Sequence, residues 1–290
     1  MKNLLYILSV ITLLASCRPE PLVIELPAHE PKLVLNTQII PNQIMFVGLT
    51  RTMGALSFSE ENGDTASNAL LDTLLVQNAT VVVSYGSNAD TLIEVESGLY
   101  ISLTTPQYTD ELYTIHVVDH DRGLECTASS TMLQQVPMDN MTATYSNDAD
   151  SLLSIQTNFT DIDGDNFYML NVYKQKDDND AEAGQDVNNY FANGTNVLLY
   201  TQLIDDRLYD SNSIESTIDL IGIEPNDSIA VTLSHISEEY FNYVSLRNKS
   251  GNWFSEITQE PINYPTNVVN GYGFFNTHFP DTRFLFVNDL

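Results

Sequence analysis

Short runs in which every second residue is apolar, separated by turn formers, dominate the chain from Lys32 onward. A period of two puts alternate side chains on opposite faces of an extended chain, so such runs predict half-buried strands. The pattern predicts strands over Leu33–Ile40, Ile44–Thr50, Leu74–Tyr85, Thr91–Val95, Leu99–Leu103, Leu112–Val118 and Leu124–Ser129. About seven strands over about 100 residues suggest a sandwich of immunoglobulin or prealbumin type. Gly98 and the stretch His120 to Gly123 supply tight turns for two of its hairpins.

After Val136, Pro137 and Met138 the alternation resumes, over Leu152–Phe159, Phe167–Tyr173, Val197–Leu203, Ile214–Ile221, Ser228–Ser234 and Arg283–Val287. The stretch 176–186 is too polar for a core and reads as a surface loop. One helix is predicted near 238–248. Ser237 serves as N-cap, Glu238 and Glu239 suit the positive helix start, and Tyr240, Phe241 and Val244 share a face. That face predicts a plug or lid packed on the second sandwich. The expected architecture is all-β, with an N-terminal immunoglobulin-like sandwich at 32–133 and a C-terminal β-rich sandwich with one short helix at 134–290.

The first residues follow another pattern. Lys2 precedes an apolar run from Leu4 to Leu14, about 11 residues, which suits a signal core and falls well short of the ~20 needed to span a bilayer. Leu14, Ala15 and Ser16 then lead into Cys17, and this stretch resembles the lipobox of bacterial lipoproteins. Residues 1–16 are expected to be a removable signal peptide and Cys17 the lipidated residue. Pro19, Pro21, Pro27 and Pro31 favour an extended tether over 17–31. With Cys17 carrying lipid, only Cys126 remains, so no intrachain disulfide forms; its alternating surroundings predict a buried structural thiol.

Charge narrows the partners. The chain holds 39 Asp plus Glu against 11 Lys plus Arg, a net of −28. Such a field excludes nucleic acid and anionic lipid surfaces as natural partners and reads first as a solubilising surface.

Candidate chemistry is sparse. Asp161, Asp163 and Asp165 alternate around Gly164 and offer a weak calcium site, but the glycine is fourth where an EF-hand loop needs it sixth. An acidic β-turn is the competing reading, so no cofactor is expected beyond a possible weakly bound calcium ion. The five histidines, His29, His116, His120, His235 and His278, show no metal-ligand spacing on a helix. No nucleophile elbow, Ser-x-x-Lys pair or phosphate loop occurs, and the chain does not read as an enzyme. The glycines in Asn270 to Phe275 read as a sharp backbone path beneath aromatic packing. Asp followed by Thr or Ser and an apolar residue marks Thr65, Thr73, Thr91, Ser151 and Ser228 as weak glycosylation candidates, resembling the O-glycosylation signal of exported Bacteroidota proteins.

Several separated stretches carry a family resemblance: Cys17 with Ile24 to Pro27 and Glu30 to Asn36; Asn78 to Val83, Ser97 to Tyr100 and Tyr113 to Val117; Ser237 to Tyr243; and Asn270 to Phe274. Together they resemble the Bacteroidota lipoprotein family of unknown function commonly encoded beside TonB-dependent outer-membrane receptors. The chain departs from that pattern at Asn270, where glycine is usual, and at Asn276 to His278. The resemblance implies a lipid anchor in the outer membrane, a body at the cell surface, and help to a TonB-dependent receptor in ligand capture or uptake. A free-standing adhesin or matrix protein is the alternative. A contact surface, if one exists, would draw on Tyr272, Phe274 and Phe275 with Tyr240 and Phe241, most of which are expected to be core.

Overall fold

The computed structural model describes residues 30–40, 44–52, 73–146, 151–175, 196–209, 212–250 and 264–290. Eight strands open it: β1 (Leu33–Ile40), β2 (Ile44–Arg51), β3 (Ala79–Tyr85), β4 (Asn88–Thr91), β5 (Ile93–Glu96), β6 (Leu99–Ser102), β7 (Leu112–Asp119) and β8 (Leu124–Thr131). Nine more elements follow: β9 (Met138–Ser146), β10 (Leu152–Thr160), β11 (Phe167–Gln175), β12 (Asn196–Asp205), β13 (Ser213–Leu220), β14 (Ser228–Ile236), helix α1 (Glu238–Ser250), β15 (Val268–Val269) and β16 (Gly271–Phe274). A last strand, β17 (Asp281–Phe286), ends the series.

Two sandwiches result. In the first, a sheet ordered β16-β1-β2-β6-β5 faces one ordered β15-β8-β7-β3-β4. Leu35, Val47 and Leu49 from one sheet pack on Val83, Ile115 and Val117 from the other, all fully buried. The expected run Thr91–Val95 divides at buried Leu92, so that β4 and β5 edge different sheets. Arg51 on β2 and Asp119 on β7 tie the sheets together through two hydrogen bonds of 2.7 and 2.9 Å. Burial works against the Asp119 carboxylate, but the Arg51 guanidinium outweighs it and holds the carboxyl below its usual range.

In the second sandwich, β13-β10-β9 faces β12-β11-β14-β17. Strand β13 alternates strictly, with Ile214, Ser216, Ile218 and Leu220 inward. Strand β14 is buried almost throughout, with Ile229, Val231 and Leu233 in the sandwich core and Ile236 in a smaller cluster with Phe167, Met169 and the α1 residues Tyr240 and Phe241. The Ser237 hydroxyl caps α1 by accepting from the Tyr240 amide at 3.2 Å, and Phe241 and Val244 turn inward. The helix therefore packs on the second sandwich as its apolar face predicts.

The C-terminal stretch breaks the sequential order. Strands β15 and β16 lie within the predicted second domain along the chain, yet they pair with β8 and β1 and edge both sheets of the first sandwich. The chain then returns through Asn276 to Pro280, so that β17 pairs with β14. Strand β16 runs parallel to β1, with Leu33 opposite Gly271 and Leu35 opposite Gly273. A Cβ at Gly273 would overlap the Leu35 carbonyl, and its φ of +88° favours glycine as well. Asn270 also adopts a positive φ, 61°, which asparagine tolerates better than most residues. Residues Pro31–Leu290 form one compact unit.

Among the described residues no helix is long and apolar enough to cross a membrane. Cys17, the signal peptide 1–16, most of the tether, His29, Thr65 and the 176–186 loop lie outside the described residues.

Candidate functional site

The returning C-terminal segment and α1 together create a space between the sandwiches. It is a cavity of about 380 Å³, bordered by β1, β2 and β6 on one side and by β11, β12 and α1 on the other. That volume lies at the small end of ligand pockets.

A backbone irregularity shapes its floor. Pairing of β11 with β12 shifts between Val172 and Tyr173, which oppose Tyr200 and Leu198, leaving Leu199 extra. The shift brings Leu198 and Thr201 to the same face, beside Met169, Asn171 and Tyr173. Asn171 accepts from the Thr201 hydroxyl at 2.8 Å and donates to the Tyr173 hydroxyl at 3.3 Å. Burial pushes the Tyr173 phenol up to about 12, so it stays protonated at neutral pH.

Helix α1 supplies Tyr240, Val244 and Arg247. Its aromatic residues also reach the first sandwich: Tyr240 and Tyr243 lie 5.3 and 5.2 Å from the Phe274 ring, between centroids. Asn36, Thr37, Phe46 and Leu99 form the opposite wall. Thr37 joins that wall to the returning segment, its hydroxyl donating to the Asn276 carbonyl at 3.2 Å and accepting from the Asn276 amide at 2.9 Å. His278 completes the lining, and burial pulls its imidazole down to about 4, leaving it uncharged at neutral pH. The Asn276 side-chain nitrogen sits 2.8 Å from His278 Nδ1, a geometry that suits a neutral ring accepting there and carrying its proton on Nε2.

Of the residues singled out in the sequence, Tyr240 and His278 border this cavity. Phe274 and Phe275 are core, 4% and 0% exposed, while Tyr272 is exposed with the Lys32 ammonium 5.3 Å from its ring centre. Asp161 accepts from the hydroxyl of buried Tyr168 at 2.5 Å, and Asn166 closes the turn by donating to the carbonyls of Ile162 and Gly164. Asp163 and Asp165 point outward from that turn, and among the described residues no group of three or more His, Cys, Asp or Glu converges as a metal site. His116 pairs with Glu125 and His120 with Thr80, each at 2.7 Å. Cys126 is buried, with its thiol pushed up to about 11 by desolvation. Thr73 and Thr91 are exposed, Ser151 and Ser228 are half-buried, and the Ser228 hydroxyl oxygen is turned away from solvent.

The cavity had no signature in sequence, because its walls come from positions between Asn36 and His278. Its one local cue was the amphipathic helix.

No curated protein matches the chain. Among solved structures, a cytokine receptor complex aligns over 88% of this chain and 96% of its own, with 9% identity and a TM-score of 0.24. A segment of two fibronectin type-III domains from chicken tenascin aligns over 88% of this chain and 98% of its own, with 12% identity and a TM-score of 0.22. The fold assignment itself rests on the strand pairing described above. A family match spans residues 19–282, nearly the whole described body, and the chain belongs to the family described as Domain of unknown function (DUF4249).

Proposed function

We propose that this protein is a non-enzymatic, lipid-anchored accessory of a TonB-dependent outer-membrane receptor, capturing a ligand in the cavity between its sandwiches. The observation that carries the reading is Cys17, placed directly after an apolar signal core and two small residues. A lipid-modified cysteine with several acyl chains holds a body firmly at a membrane, whereas a single chain binds only marginally. The tether with Pro19, Pro21, Pro27 and Pro31 supports a body held at a distance from the bilayer. The receptor partner comes from the resemblance to Bacteroidota lipoproteins encoded beside such receptors. A pocket bordered by two sandwiches suits capture, since ligand sites favour domain junctions. The unreactive Cys126 thiol adds no nucleophile to it.

A tagged full-length copy, crosslinked in cells and purified from detergent-solubilised outer membrane, is expected to bring down a receptor barrel. Recovery of the tagged protein with no barrel after crosslinking would favour a free-standing adhesin instead.

A further inference from the structure

We infer that the outer face of the β13-β10-β9 sheet binds a neutral sugar, an oligosaccharide held by carboxamide and hydroxyl groups in a groove across all three strands. This site goes beyond the capture role proposed above. It shares no described lining residue with the cavity between the sandwiches and does not depend on a receptor. The first observation is shape. A groove of about 340 Å³ crosses the face, within the size range of small-molecule sites. A backbone irregularity lies at one end of it. Strand β9 places Met138, Asp139 and Asn140 opposite Phe159 and Asn158 of β10, one residue more than regular pairing allows. The Thr160 hydroxyl donates to the carboxylate of the extra residue, Asp139, at 2.8 Å. A bulge bends its strand and re-aims the side chains beside it, here Asn140 and Asn158.

The second observation is the chemistry of the lining. Register sets Asn140, Asn158 and Glu215 in one row across the strands, and Thr142, Gln156 and Thr217 in the next. All six alternate with inward residues and so point away from the sandwich core. Among the described residues, none of these six side chains makes a hydrogen bond within the protein. A carboxamide donates through its amino group and accepts through its carbonyl, so each can engage two neighbouring hydroxyls of one sugar ring. The Glu215 carboxylate accepts from further hydroxyls, and Thr142 and Thr217 serve as donor or acceptor. Water satisfies these groups in the free protein, and a polyol replaces it with bonds of the same kind. Charge then selects among polar ligands. Glu215 in the lining and a net charge of −28 oppose an anion, whereas an uncharged sugar meets no such cost.

The test titrates cellotetraose, mannotetraose and galactotetraose, with tetragalacturonate as the acidic comparison, into the mature protein in a detergent without sugar headgroups. Saturation-transfer NMR follows binding, with and without EDTA. At least one neutral probe is expected to bind in the roughly millimolar range, and tetragalacturonate roughly tenfold more weakly than the best of them. Gln156→Ala and Asn158→Ala should each weaken that binding roughly fivefold with the melting temperature unchanged, because each removes one carboxamide from an open face. No binding of any neutral probe, binding that survives in both variants, or equal binding of tetragalacturonate overturns the assignment. Binding abolished by EDTA gives the face to a metal ion and overturns it as well. Each of these results leaves the accessory role standing, since that role is tested by recovery of the receptor.

Discussion

His278 shows how one side chain can couple the joint between the sandwiches to pH. It was one histidine among five in the sequence, with no spacing to mark it, and its character comes from burial at 8% exposure beside Asn276. In the unfolded chain the ring takes up a proton near pH 6.5; in the folded protein it resists until about pH 4. Its folded value is depressed, so the unfolded state binds more protons between those limits. Stability is therefore fully present above pH 6.5 and is lost as pH falls toward 4, by about 3 kcal/mol. Urea unfolding at pH 7 and at pH 4 should show the wild type losing about 3 kcal/mol more than His278→Gln. His235, also lowered by burial, contributes with the same sign in both proteins and cancels from the comparison. Parallel pH profiles for the two proteins would contradict this account of the buried ring.

At the scale of elements, the alternating pattern located most strands to within a few residues and the helix by its cap, because local burial sets both signals. It failed where pairing depends on distant partners. Strand β9 breaks its own period of two at Asp139, an extra residue opposite β10 that sets Met138 out of step with the inward Met141, Ala143 and Tyr145. Strands β15 and β16 are two and four residues long, and their place is fixed by β8 and β1. The glycines between Asn270 and Phe275 did signal an unusual path, and its cause is the close parallel approach to β1. Gly273 and Gly164 both have positive φ, but a Cβ at Gly164 would meet nothing within 4 Å. Replacing each with alanine separates backbone strain from overlap. Gly164→Ala is expected to cost about 1 kcal/mol, and Gly273→Ala more than about 2 kcal/mol, since it also displaces β16 from β1. Equal losses in denaturant unfolding would show that close approach to β1 is not what requires glycine at 273.

At the scale of the whole molecule, the fold is two sandwiches joined by a segment that edges the first before closing the second. The cavity, with residues from both sandwiches, was illegible because no local pattern records which distant strands will face each other. The proposed anchor is of the opposite kind: a signal core and lipidation site are read as linear sequence, whatever fold follows. The account therefore turns on Cys17 and on the body being held at the membrane. The most direct measurement is fractionation of cells expressing the wild type and Cys17→Ala, with mass analysis of the N-terminus. The wild type is expected in the outer-membrane fraction, cut before Cys17 and carrying acyl chains there. Cys17→Ala should appear either released from the membrane or retained with residues 1–16 uncut. Wild-type protein without lipid at Cys17, or Cys17→Ala cut and still membrane-bound to the same extent, would contradict the account.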